Sequence, residues 1–158
     1  MGNSGKAQKG KKGAERYLEF LAEEGYRPKI NADGNVAFKC EGRNYLIAID
    51  EKDEAFFYLV YPGFWPIKSD EELARVMEAA LAVIADTKVV KIFPVGDTNT
   101  WASIELFCYP PEAFKGAFER CLRALRGGVE KFVAKMQEQP KQDDAFVFHL
   151  PKYKVGAN

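Results

Sequence analysis

Residues 36–61 read VAFKCEGRNYLIAIDEKDEAFFYLVY, and this stretch decides the fold class. Apolar and other side chains alternate over residues 36–40, which is the period of a β-strand. A second such run covers residues 45–49 after a break at Glu41 and Gly42, and a third covers residues 55–61 after an acidic turn. Three consecutive strands joined by short turns predict an antiparallel meander.

Amphipathic helices are predicted on either side of this meander. Before it, Tyr17, Leu18 and Leu21 recur at helical spacing from about residue 14, and Gly25 can end the helix in a left-handed conformation. After it, Ser69 and Glu72 have the spacing of a capping box, which predicts the start of a central helix. The predicted buried stripe of that helix is Leu73, Val76, Met77, Ala80, Leu81 and Ile84.

The second half of the chain predicts a hairpin and a third helix. Strands are predicted at residues 89–94 and 101–109, with a polar loop at residues 96–99 between them. The third helix begins near Glu112, and its apolar stripe is Phe114, Phe118, Cys121, Leu122, Leu125, Val129, Phe132 and Met136. The order α-β-β-β-α-β-β-α predicts an α+β fold in which helices cover one face of a five-stranded antiparallel sheet.

The two ends of the chain differ in composition from its body. Residues 1–13 are rich in Gly and Lys, so we expect a flexible basic tail. Residues 14–136 are predicted to form a single α+β domain, in keeping with a length of 158 residues. Residues 137–158 are predicted to be a polar linker followed by an apolar C-terminal tail.

Charge and cysteine content limit the compartment and the partners. The 23 basic and 23 acidic side chains cancel, so no overall field attracts nucleic acid or an anionic membrane. The first 13 residues lack the apolar core of a secretory signal or a membrane span. Three widely spaced cysteines, Cys40, Cys108 and Cys121, fit a reducing compartment. We expect a cytoplasmic protein without a membrane partner.

The sequence predicts no catalytic, cofactor or metal site. Residues 5–11 match the spacing of a phosphate-binding loop, but Lys12 stands where Ser or Thr is needed, and no strand can precede the loop. The acidic turn at residues 50–54 lacks the Gly and the distal Glu of a calcium loop. His149 is the single histidine, and no Ser or Cys has a base-bearing motif nearby. We expect a protein that is not an enzyme, although a site assembled from distant segments stays open as an alternative.

Two apolar segments are candidates for binding a partner. In residues 58–66, YLVYPGFWP, we expect Tyr61, Phe64 and Trp65 to lie in a loop, where they either cover the end of the core or border a surface for a partner. Phe146 and Phe148 belong to an alternating run that predicts a strand added to a sheet edge, in the same chain or in a neighbour. Exchange between subunits would produce a homodimer.

The element order resembles that of the YbjN family of bacterial sensory-transduction regulators. The resemblance rests also on LAEEGY at residues 21–26, on the turn at Asp33 and Gly34, and on VEKFVAKM at residues 129–136. It covers about residues 14–136, although AALAVIAD at residues 79–86 replaces the Asn-rich segment of many members. The resemblance implies a fold like that of type III secretion chaperones, a non-enzymatic role, dimerisation, and the binding of a partner chain.

These observations predict a protein-binding module with a regulatory or chaperone-like role, which buries an apolar segment of another protein. The alternative is an accessory protein that binds nucleic acid or anions through Lys6, Lys9, Lys11 and Lys12. No aromatic side chain is interleaved with these lysines to stack on bases. A steep dependence of binding on salt would distinguish the alternative from the first prediction.

Overall fold

The computed structural model describes the backbone of residues 4–138 and the side chains of residues 12–138. Three helices and six strands make up this part of the chain. In order they are α1 (Ser4–Glu23), β1 (Lys29–Ile30), β2 (Val36–Cys40), β3 (Arg43–Ala48), β4 (Phe56–Pro66), α2 (Asp70–Asp86), β5 (Val90–Val95), β6 (Asn99–Phe107) and α3 (Phe114–Gln137), with a 3-10 turn at Pro111–Ala113 before α3. Helix α1 therefore begins within the segment for which the sequence predicts a tail.

The strands form one antiparallel sheet in the order β1-β2-β3-β4-β6-β5. The meander and the β5–β6 hairpin are both confirmed. The predicted count of five strands is wrong, because the two-residue strand β1 pairs with β2 at the edge of the sheet. A strand this short has no alternation for a sequence pattern to detect.

The helices cover one face of the sheet. On that face, Phe57 of β4 lies 5.6 Å from Phe114 of α3 and 6.0 Å from Tyr17 of α1, measured between ring centroids. Val60 points to the opposite face, and it is buried without belonging to this core cluster. The main core therefore lies between the sheet and the three helices, as the sequence predicts.

Helix α3 contributes a long apolar stripe to the core, from Phe114 to Met136. All eight residues of its predicted stripe are buried. The helix runs without interruption across Gly127 and Gly128. A Cβ atom on Gly128 would come within 2.8 Å of Cγ1 of Val90, so the missing side chain lets α3 approach β5 closely.

Of the predicted stripe of α2, Val76 and Ala80 are buried and Leu73 is partly buried against the core. The buried residues of the helix are Val76, Ala79, Ala80 and Val83. The prediction is wrong for Met77, Leu81 and Ile84, which are 51%, 48% and 39% exposed. The helix has two adjacent apolar faces, and the face with more alanine and valine packs inward because small side chains permit a close approach.

Candidate partner-binding surfaces

The aromatic segment predicted as a loop is a continuation of strand β4. The strand runs through Pro62 to Pro66, and its register against β6 shifts between Tyr61 and Trp65. Gly63 lies within the shift at a φ of +59°, a left-handed value that favours glycine. The bulge absorbs the irregular residues, so pairing with β6 resumes at Trp65.

Tyr61, Phe64 and Trp65 lie together and pack on the core. The rings of Tyr61 and Phe64 stack at 5.6 Å, and those of Phe64 and Trp65 meet Phe132 of α3 edge-on at 5.3 and 5.9 Å. All three are partly buried against the core cluster. This packing agrees with the first of the two predicted roles, a cover for the end of the core. A role in binding a partner stays a prediction.

The N-terminus of α2 fastens this aromatic segment. Glu72 accepts hydrogen bonds from Trp65 Nε1 at 3.2 Å and from the backbone N–H of Lys68 at 2.9 Å. Ser69 Oγ accepts from the backbone N–H of Glu72 at 3.1 Å, so the predicted N-cap is confirmed. The second half of the capping box differs, because Glu72 reaches Lys68 and Trp65 rather than the N–H of Ser69.

The other two candidate residues, Phe146 and Phe148, lie outside the described residues. The described chain stops just after α3, whose end contacts α2. There, Nη2 of Arg75 donates to the carbonyl oxygen atoms of Met136 at 2.6 Å and Glu138 at 3.3 Å. These bonds hold the end of α3 against α2.

A surface that the sequence did not single out lies on the face of the sheet opposite the helices. We call it the open sheet face. Successive residues of a strand point to opposite faces of the sheet, so the register shows which side chains lie on this face. Phe57 and Leu106 are paired and point towards the helices. The pairs on either side of them, Phe56 with Phe107 and Tyr58 with Glu105, therefore point to the open sheet face. Its large apolar side chains are Leu46, Phe56, Tyr58, Val60, Phe93, Trp101 and Phe107.

The aromatic side chains at one end of the open sheet face are close together, and the outermost of them is exposed. The ring of Phe56 lies 5.6 Å from that of Tyr58 and 5.7 Å from that of Phe107. Phe107 is 82% exposed, and Tyr109, two residues after it, is 92% exposed. Large side chains this accessible mark interaction surfaces more often than single exposed aliphatic residues do.

A polar group interrupts the aromatic surface. Lys91 of β5 forms a salt bridge with Glu105 of β6, and Ser103 Oγ donates to the same carboxylate at 3.2 Å. Burial, and then the carboxylate of Glu105, raise the pKa of Tyr58, so its phenol stays neutral. Ser103 is fully buried, so its hydroxyl is not available to a substrate. The group can orient a bound segment through hydrogen bonds.

The sequence carries a signal for this surface that is visible in retrospect. In β4 both alternating sets of side chains are apolar, with Phe57 and Leu59 on one face and Phe56, Tyr58 and Val60 on the other. A strand that is apolar on both faces normally has a layer on each. Here the helices supply only one of these layers.

The cysteines show no reactive arrangement. All three are free thiols, with Cys108 and Cys121 buried and Cys40 half-buried. Burial raises the pKa of Cys108 and of Cys121, which keeps both thiols protonated and weakly nucleophilic. Within the described residues, no group of three or more His, Cys, Asp or Glu side chains is placed to hold a metal ion.

Comparison of the chain with protein-family models and with curated proteins finds no match. Among the helices of the described part, none is long and apolar enough to cross a membrane.

Proposed function

We propose that this protein is a non-enzymatic binding module, regulatory or chaperone-like, whose open sheet face holds an apolar segment of a partner protein. One observation carries the proposal. Phe107 is 82% exposed beside Phe56 and Tyr58, on a sheet face that the three helices leave uncovered. Aromatic side chains supply a large share of the binding energy at protein interfaces.

The composition of the face favours a protein segment as its ligand. An extended segment can place alternate side chains between the aromatic rings, since it has the same two-residue period as the sheet. The salt bridge of Lys91 and Glu105, next to the neutral phenol of Tyr58, offers polar contacts that select an orientation. The aromatic segment at Tyr61, Phe64 and Trp65 then supports the core beneath.

The resemblance to the YbjN family supports the same kind of role, because it implies a protein that binds a partner chain. The three free thiols support a reducing compartment, and we include a cytoplasmic location in the proposal.

The test is a pull-down from lysate with the wild-type protein and two variants. Phe107→Ser removes the most exposed aromatic side chain within the strands, while Ile30→Ser removes an exposed apolar side chain from the edge strand β1 and serves as the control. We expect one protein to be retained by the wild type and by Ile30→Ser, and its binding free energy to Phe107→Ser to be weaker by about 2 kcal/mol. Circular dichroism confirms that both variants are folded.

Two results would contradict the proposal. Equal retention by Phe107→Ser would show that the open sheet face takes no part in binding. Recovery of nucleic acid, with an affinity that falls steeply as salt increases, would favour the alternative in which the N-terminal lysines bind nucleic acid.

The same proposal includes a homodimer, with α2 as its contact. Met77, Leu81 and Ile84 follow one another at spacings of four and three residues, so their exposed side chains share one face of the helix. A two-fold axis through this face would bury the stripe of one copy against the same stripe of the other. Dimerisation is also what the resemblance to the YbjN family implies.

A further inference from the structure

A recess lies between α3 and the turn that joins α2 to β5. Residues 86–90 form one wall, α3 forms the other, and Leu106 of β6 contributes to the lining. Its volume is about 550 Å³. That volume is within the range of about 300–1,000 Å³ typical of small-molecule sites. We call this recess the edge groove.

The edge groove exists because β5 is shorter than β6 at this end. Strand β5 begins at Val90, opposite Ile104, whereas β6 continues to Phe107, so Leu106 has no residue of β5 beside it. Val89 has a φ of +57°, a left-handed value that is strained for a β-branched side chain. This backbone conformation turns the chain out of the ladder and leaves the space open.

The side chains that α3 places in the groove are too small to fill it. Ala117, Cys121 and Ala124 line it at spacings of four and three residues, on one face of the helix. Val89 and Val90 add apolar surface from the opposite wall. Thr87 also lines the groove, but its hydroxyl already donates to the carbonyl oxygen of Val83 at 2.7 Å. The walls therefore offer apolar contacts and few hydrogen-bonding groups.

The charged residues of the groove are mainly basic. Asp86 is its single acid, and it forms a salt bridge with Lys131. The remaining two charged residues are Lys88 and Arg120, both exposed. Within residues 12–138 neither of them has an acidic partner. The groove therefore combines an apolar floor with two cations that are free to meet an anion.

We propose that the edge groove binds an anionic amphiphile, namely a single acyl chain that ends in a carboxylate. The acyl chain lies along Ala117, Cys121 and Ala124, and the carboxylate meets the guanidinium of Arg120, whose planar group pairs with carboxylates through two hydrogen bonds. An extended peptide would find backbone partners only along β6 beyond Ile104, whereas an acyl chain needs none on these walls. The inference is independent of the open sheet face and goes beyond the proposed function.

The binding test uses the full chain and the fluorescent fatty acid cis-parinaric acid as the probe, below micellar concentrations. Three unlabelled twelve-carbon competitors differ only in the head group: laurate, dodecanol and dodecylamine. We expect laurate to displace the probe about tenfold more effectively than dodecanol, because a charged hydrogen bond adds that much affinity. Dodecylamine should be the weakest competitor. Equal displacement by all three would overturn the proposal.

Two pairs of variants locate the site. Ala124→Phe fills the groove, and Ala134→Phe makes the same change at an exposed position of α3 outside it. Arg120→Glu reverses the charge at the groove, and Arg123→Glu does so at an exposed position outside it. We expect Ala124→Phe to abolish binding, and Arg120→Glu to weaken laurate about tenfold without changing dodecanol. Both controls should bind as the wild type does.

Other outcomes would overturn the inference. If Phe107→Ser abolishes binding while Ala124→Phe does not, the acyl chain lies on the open sheet face. If the wild type does not bind the probe but the double variant Phe146→Ser, Phe148→Ser does, the natural occupant of the groove is the C-terminal segment of the chain and not an acyl chain. Should Ala124→Phe fail to fold, Ala117→Leu fills the same groove at its other end.

Discussion

Two neighbouring glycines in α3 differ in whether the surrounding structure leaves room for a side chain. Gly127 has no heavy atom within 4 Å of the position where a Cβ would stand, whereas a Cβ on Gly128 would meet Cγ1 of Val90 at 2.8 Å. Glycine within a helix costs backbone entropy relative to alanine. Close packing against Val90 makes glycine necessary at residue 128, whereas nothing in the surroundings of residue 127 requires glycine.

We therefore expect the two alanine substitutions to have opposite effects on the free energy of unfolding. Gly127→Ala should raise it by about 0.5–1 kcal/mol. Gly128→Ala should lower it by about 1–3 kcal/mol, because the new methyl group forces α3 and Val90 apart. Urea unfolding followed by circular dichroism measures both values. Stabilisation by both substitutions would show that the helix can shift away from β5 without cost.

At the scale of the element, periodicity predicts α3 correctly and α2 only in part. The eight apolar residues of α3 form one stripe, so the pattern has a single solution, and all eight are buried. In α2, apolar residues occupy two adjacent faces. The pattern cannot tell which face the core selects, because that choice depends on how closely α3 and β5 approach. Met77 and Leu81 are exposed for this reason.

Strand β4 shows a different limit of prediction from sequence. Pro62 and Pro66 indicate the end of a strand, since proline cannot donate a ladder hydrogen bond. The strand nevertheless continues to Pro66, because Gly63 permits a bulge that restores the register with β6. The choice between loop and bulged strand depends on the partner strand, which is distant in sequence.

The packing of this segment predicts a large effect of Trp65 on stability. Trp65→Ala should lower the free energy of unfolding by about 3 kcal/mol, because it removes the contact with Phe132 and the hydrogen bond to Glu72. Phe107→Ala should change it by less than about 0.5 kcal/mol, since Phe107 is exposed. Urea unfolding of both variants makes the comparison. If Trp65→Ala changes the free energy of unfolding only slightly but abolishes partner binding, Trp65 contacts the partner and does not cover the core.

For the whole molecule, the sequence predicts the sheet, the helices and the single covered face, but not the accessible surfaces. Alternation identifies the residues on each face of a strand, and the aromatic side chains of β4 occur on both. Which face the helices cover follows from the packing of α1 and α3 on Phe57. The open sheet face could be recognised only after that packing was known.

The exposed stripe of α2 predicts the oligomeric state. If a second copy covers Leu81 and Met77, light scattering after gel filtration should give twice the mass of the chain for the wild type. Leu81→Asp should give the mass of one chain, because it would bury a charge in the contact. Ala134→Asp, at an exposed position of α3, is the control and should remain a dimer. A single-chain mass for the wild type would refute the dimer.

The two faces of β4 also separate two kinds of evolutionary constraint. Phe57 and Leu59 belong to the core cluster under the helices, whereas Phe56 and Tyr58 are half-buried and lie outside that cluster. Replacements at the second pair leave the core cluster unchanged, so they should alter stability less than replacements at the first pair. If the open sheet face holds a partner as proposed, a lineage carrying this fold can exchange one partner for another by substituting alternate residues of a single strand.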